Sequence, residues 1–98
     1  MLERRKSPRI AAVVPVQLFL GERVLKARSS VINAQGALVE SSEPLYSGAN
    51  LILVNEKTKA KVKAWIVRTL PGDENGSFHL AIEFMEEAPR FWGDDYRP

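Results

Sequence analysis

The chain has 98 residues, no cysteine and a formal net charge of +2, with 45% hydrophobic and 27% charged residues. This length and composition predict one globular domain with a modest core, and no run approaches the ~20 apolar residues of a membrane-spanning helix. The absence of cysteine excludes a disulfide framework and a thiolate metal site, and it fits a reducing compartment. We therefore expect a cytoplasmic protein that does not insert into a membrane.

The positive charge is concentrated at the N-terminus, where residues 1–9 contain four cations and one acid. Pro8 restricts the preceding residue to extended conformations, so these residues predict a basic arm that leads into a strand. The guanidinium groups of this arm are suited to phosphates and to the O6 and N7 atoms of guanine. Charge alone leaves a solvated basic tail open as the alternative.

Beyond the arm, apolar side chains alternate with polar ones over six short segments, a pattern that is typical of half-buried β-strands. The predicted strands cover residues 14–20, 23–32, 37–40, 51–54, 59–66 and 78–84. Six short strands at regular spacing favour a small antiparallel β-barrel, and closing the barrel would remove exposed sheet edges.

The alternation also predicts which side chains face outward. Val31 is expected to face the core, whereas Lys59, Lys61 and Lys63 are expected on the outer face. These lysines either steer anions or are solvated residues that discourage pairing at a sheet edge. Trp65 falls on the same outer face, where it could stack on a base or pack under the arm or the tail.

We divide this single domain into a flexible basic arm (1–11), a barrel (12–85) and a C-terminal tail (86–98). The tail is predicted to be irregular or to form a single helical turn. Phe91 and Trp92 are expected to cap an open end of the barrel, because a small domain needs the buried area. The alternative is that these aromatic side chains are exposed and bind a partner.

The sequence offers no arrangement of side chains for catalysis. His79 is the single histidine and the chain has no cysteine, so neither a metal site nor a Ser/His/Asp set is predicted. A glycine-rich phosphate loop is also missing. We therefore predict a protein that is not an enzyme and that needs no metal or cofactor.

Arg5 and Arg9 have the spacing RxxxR directly ahead of the first predicted strand. The second predicted strand runs into residues 31–38, which contain Gly36, and the last strand, 78–84, ends in Phe. In these places the chain resembles the PilZ domain family, with its RxxxR motif, its [D/N]xSxxG motif and its closing strand. The resemblance implies a six-stranded barrel that binds cyclic di-GMP and has no catalytic activity.

The same resemblance implies a ligand site shared by the arm and the barrel. In the family, the arm folds over the barrel when ligand arrives, and its arginines then meet phosphates and guanine edges. Carried over to this chain, Arg5 and Arg9 would be the main contacts and Arg4 would assist them. Asn33 and Gly36 would be the ligand-binding residues of the second motif, which holds the guanine base.

The second motif departs from the family pattern. With Gly36 in register, Val31 stands at the Asp/Asn position and Asn33 at the Ser position. Val31 cannot accept a hydrogen bond from guanine, and a buried polar group without a partner costs about 1–3 kcal/mol. A second alignment makes Asn33 the Asp/Asn position, with a shorter turn and Gln35 in the place of serine. Both alignments stay open.

The leading expectation is a receiver that binds cyclic di-GMP, orders its arm and signals to an unidentified protein partner. Because the chain has room for one domain, we expect its effect to pass to another molecule. The alternative is a PilZ-like interaction module that no longer binds nucleotide and serves motility, pilus or polysaccharide systems. A nucleic acid partner is not expected, because a basic face with an aromatic ladder is missing. Oligomeric state and ligand stoichiometry are left open.

Overall fold

The computed structural model describes residues 9–96, and strands dominate this part of the chain. The strands are β1 (Ile10–Ala11), β2 (Pro15–Leu20), β3 (Arg23–Asn33), β4 (Gly36–Ser41), β5 (Asn50–Asn55), β6 (Lys61–Pro71) and β7 (Phe78–Phe84). A 3-10 turn, Asp94–Tyr96, follows in the tail. Over the described range, no helix has the length and apolar character needed to cross a membrane.

Six of these strands close into a barrel. They are hydrogen-bonded in the spatial order β3-β2-β5-β6-β7-β4, and β4 pairs back with β3. All of the pairings are antiparallel, so the predicted six-stranded antiparallel barrel is confirmed. β1 is an additional strand that pairs Ile10 with Ile32 on β3. Strand pairing therefore starts two residues ahead of the expected boundary between the arm and the barrel at residue 12.

The observed strand bounds follow the predicted ones closely. β7 has the predicted bounds, whereas β6 continues beyond the predicted strand as far as Pro71. It does so because Leu70 and Pro71 pair with His79 and Phe78 across the sheet. The connection between β6 and β7 therefore begins only after Pro71.

The core fills the inside of the barrel with alternate side chains of the strands. Its fully buried members include Val14, Val16, Leu18, Leu53, Ile66 and Leu80. Burying an aliphatic side chain of this size stabilises a fold by about 1.5–3 kcal/mol. The inward alternation predicted for the strand that contains the lysines is observed, since Val62 is buried between the exposed Lys61 and Lys63, and Ala64 is the next buried residue.

A β-bulge interrupts the alternation of β3 between Ser29 and Val31. A bulge adds one residue to one strand of a pair, so the side chains beyond it exchange faces. Ile32 is consequently 1% exposed, whereas Val31 is half-buried and lies on the outer side of the barrel. The prediction that Val31 faces the core is wrong for this reason.

The tail closes one end of the barrel with aromatic rings. Phe91 and Trp92 are 3% and 5% exposed, and their ring centroids lie 5.2 Å and 6.2 Å from that of Phe84. The buried Asn55 donates from Nδ2 to the carbonyl oxygen of Phe91 at 2.9 Å, and the Thr58 hydroxyl donates to the same oxygen at 3.2 Å. The predicted capping role of the two aromatic residues is confirmed.

Candidate ligand-binding groove

A groove of about 750 Å³ lies on the outside of the barrel beside the turn that joins β3 to β4. This volume is in the range of ~300–1,000 Å³ that is common for ligand sites. Arg9, Asn33 and Gly36 all line the groove, so three of the five residues predicted for the site lie together. Arg4 and Arg5 lie outside the described residues.

One row of cross-strand partners forms the floor of the groove next to the turn. Asn33 on β3 pairs with Gly36 on β4, and Gly36 pairs in turn with Glu83 on β7. Partners in antiparallel strands project from the same face, and neighbouring strands lie about 4.8 Å apart, so about 10 Å separates the strands of Asn33 and Glu83. The two polar side chains therefore flank the bare backbone of Gly36.

Gly36 is required by the packing of β4 against β7. A Cβ atom at this position would lie 2.2 Å from the carbonyl oxygen of Ile82 and 3.2 Å from the Cα atom of Glu83. Both neighbours are backbone atoms, so a larger residue would push the two strands apart. Strand packing alone therefore accounts for the glycine of the second motif.

Asn33 is held in place by the turn that follows it. Its Oδ1 atom accepts a hydrogen bond from the N–H of Gln35 at 2.9 Å, which forms an Asx turn. The Nδ2 atom makes no hydrogen bond with another described residue. Because Oδ1 serves the turn, Asn33 presents a hydrogen-bond donor to the groove.

Arg9 and Arg68 supply the positive charge of the groove. Both are exposed, and neither makes an ion pair with any residue in the range 9–96. Arg28, by contrast, is bound by Glu40 at 3.1 Å elsewhere on the barrel. The two groove arginines are therefore available to an anionic ligand.

Arg68 was not predicted as a site residue, because alternation from Ile66 would direct it toward the core. A bulge in β6 between Ile66 and Arg68 reverses that orientation and pairs Arg68 with Ala81 on β7. The sequence carries no clear sign of this bulge.

Glu83 is the carboxylate of the groove lining, and it was not among the residues predicted for the site. It is exposed and makes no ion pair with another described residue. On its far side it pairs with Trp65 of β6, which is half-buried. Trp65 does not line the groove, so stacking on a ligand there would require it to move.

The remaining side of the groove is apolar. Val31 pairs with Leu38 on β4, and Leu38 pairs with Ala81 on β7, which forms a second row parallel to the first. Val67 and Leu70 extend this side and are 37% and 39% exposed. The groove thus combines cations, an amide, a carboxylate and an apolar wall.

A second depression of about 610 Å³ has a different character. Lys26, Arg28, Glu40 and Glu56 are among its lining residues, so its charges are mixed. Arg28 and Glu40 already neutralise one another there. Among the residues that the structure describes, no group of three His, Cys, Asp or Glu side chains could hold a metal ion.

Lys61 and Lys63 lie on the outer face of β6, as predicted, and both are exposed. Lys63 pairs with Ile52 on β5, and its carbonyl oxygen accepts a hydrogen bond from the N–H of Met85 at 2.8 Å on the other side. β6 therefore has no open edge at Lys63. Protection of a sheet edge does not explain this lysine.

The structure therefore defines a small closed β-barrel module with a groove of mixed polar and apolar lining on its outer surface. Residues 3–90 match the PilZ domain family, and the chain belongs to that family. PilZ domains are binding and adaptor modules and not enzymes.

The chain matches no curated protein in sequence. Among solved structures it is similar to the Bacillus subtilis inhibitor of motility, MotI/DgrA, with a TM-score of 0.72 and 24% sequence identity. The similarity covers 89% of this chain and 45% of that protein, so this chain spans less than half the length of its structural neighbour. At this level of identity, the likeness shows a shared fold.

Proposed function

We propose that this protein is a cytoplasmic receiver that binds cyclic di-GMP in the groove and relays the signal to a protein partner. The observation that carries the proposal is the position of Arg9, Asn33 and Gly36 in one groove. Arg9 comes from one of the two segments that resemble the family's ligand motifs, and Asn33 and Gly36 come from the other. The two segments are far apart in the sequence. No catalytic step is part of this function.

The charges of the groove suit a cyclic dinucleotide. A guanidinium group forms two parallel, charge-assisted hydrogen bonds to a phosphate or to the O6 and N7 atoms of guanine. Arg9 and Arg68 can supply such contacts because no carboxylate among the described residues binds them. The apolar side next to Val31 would cover part of a base or ribose.

Arg5 can reach the same groove from its position in the chain. β1 pairs Ala11 with Val31 and so fixes the start of the barrel at the groove. Arg5 precedes Arg9 by four residues, a span of up to about 14 Å when extended. We therefore propose that Arg5, with Arg4 beside it, contacts the ligand together with Arg9, and that this contact changes the arm as the output of the receiver.

An interaction module that does not bind nucleotide is the second candidate function. Val31 and its apolar neighbours favour this module. With Gly36 in register, Val31 stands at the Asp/Asn position of the family motif, and its side chain cannot accept a hydrogen bond from a ligand. The adjoining strands β3, β2, β5 and β6 also contain no Asp or Glu, and they carry Lys26, Lys61 and Lys63 on the outer face. Such a face complements an acidic surface of a partner protein.

Calorimetric titration with cyclic di-GMP separates the two functions. We expect the wild-type protein to release or absorb heat of binding, and we expect Arg9→Ala to weaken affinity at least tenfold because a charge-assisted contact is lost. Arg90→Ala is the matched control, since Arg90 is exposed and lies outside the groove. Absence of binding by the wild-type protein at high micromolar ligand would leave only the interaction module.

A further inference from the structure

We infer that Glu83 reads the guanine base of the ligand, replacing the side chain that the family motif has at the position of Val31 in the alignment that keeps Gly36 in register. This inference rests on the proposed function and adds the residue that gives it base selectivity. The first observation is that the side chain of Val31 has no polar atom and so cannot accept a hydrogen bond. A groove that recognises guanine still needs an acceptor for the N–H groups of the base.

Glu83 has the position and the freedom for this role. It stands in the same cross-strand row as Asn33 and Gly36, so its side chain leaves the sheet on the face that forms the groove. Its carboxylate is exposed and is bound by neither Arg9 nor Arg68. An ionised carboxylate only accepts hydrogen bonds, and its two oxygens can accept two at once.

The two edges of guanine match the two sides of Gly36. The Watson–Crick edge of guanine presents two parallel donors, N1–H and the N2 amino group, which fit the two oxygens of the Glu83 carboxylate. The adjacent Hoogsteen edge presents the acceptors O6 and N7, which fit the Nδ2 donor of Asn33 or a guanidinium group. A flat base that lies over the backbone of Gly36 would meet an acceptor on one side and a donor on the other.

This arrangement favours guanine over adenine. Adenine presents an acceptor, N1, in the place of the N1–H donor of guanine, so it would face the negative carboxylate with a lone pair. A site that is built to pair with a polar group discriminates strongly against an analogue that lacks the group. The positive charges of Arg9 and Arg68 offset the repulsion between Glu83 and the ligand phosphates.

The test compares affinities for cyclic di-GMP and cyclic di-AMP in three variants of the full chain. We expect Glu83→Gln to weaken cyclic di-GMP binding by 10- to 100-fold and to reduce the preference for guanine, because the amide accepts at one atom and has no charge. In the double variant Val31→Asp with Glu83→Gln, a carboxylate returns at the family position, and affinity should recover at least tenfold. Glu86→Gln is the matched control, an exposed carboxylate outside the groove.

The outcomes distinguish the role of Glu83 from the receiver function on which that role rests. If the wild-type protein binds and Glu83→Gln retains both affinity and base preference, the role of Glu83 is refuted while the receiver function stands. If the wild-type protein does not bind cyclic di-GMP, both the receiver function and the role of Glu83 are refuted. Equal melting temperatures of wild type and Glu83→Gln show that the comparison reports on binding, since Glu83 has no packing role in the core.

Discussion

The indole N–H of Trp92 donates a hydrogen bond of 2.8 Å to the main-chain carbonyl oxygen of Asn33, which lies 59 residues away in the chain. Asn33 also holds the β3–β4 turn through its own side chain. The C-terminal aromatic cap is therefore attached directly to the residue that lines the candidate groove. A change in the turn on ligand binding would reach the environment of Trp92.

Trp92→Phe removes this donor and leaves an aromatic ring in the cap. We expect a loss of about 1 kcal/mol in the free energy of unfolding from the hydrogen bond, and a further loss from the volume that the smaller ring leaves unfilled in the buried cap. Urea denaturation measures this loss, and Trp65→Phe on the outer face is the control with a smaller expected effect. Equal stabilities of the two variants would show that the bond to Asn33 does not hold the cap.

Phe91→Ala removes a ring that contacts both Phe84 and Trp92 and leaves a cavity at the end of the barrel. Substitutions of this kind cost about 3–5 kcal/mol, a large share of the stability of a small domain. Tyr46→Ala is the matched control, because Tyr46 is 89% exposed. If Phe91→Ala had the same urea midpoint as the control, the tail would not be part of the core.

Gly36→Ala places a methyl group against the carbonyl oxygen of Ile82. We expect it to lower the free energy of unfolding by about 1–3 kcal/mol or more, because two backbones must separate. Gly21→Asn is the control: nothing lies within 4 Å of a Cβ atom there, and asparagine tolerates the φ of 63° at this turn. A fully stable Gly36→Ala protein would contradict the packing explanation for this glycine.

The strands and the cap could be predicted from the sequence because they depend on local alternation and on the need of a small domain for buried area. Val31 and Arg68 could not be placed, since each follows a bulge that reverses the face of the residues beyond it. Each bulge is a shift of register against a neighbouring strand, β4 or β7, and the local alternation of one segment does not report such a shift.

The composition of the groove was predicted only in part for a related reason. Asn33 and Gly36 were identified from a motif that is continuous in the sequence. Glu83 was not identified, because its place beside Gly36 depends on the register between β4 and β7, which lie far apart in the chain. The register between strands that are far apart in the chain produces no periodic pattern in the sequence, so it could not be predicted from the sequence.

The most direct measurement of the central claim is a titration of ¹⁵N-labelled protein with cyclic di-GMP, followed by NMR. The account predicts shifts concentrated at the amides of Asn33, Gly36 and Glu83 and at the indole N–H of Trp92, with the indole N–H of Trp65 changing less. No shifts at saturating ligand, or shifts confined to the lysine face of β6, would contradict it.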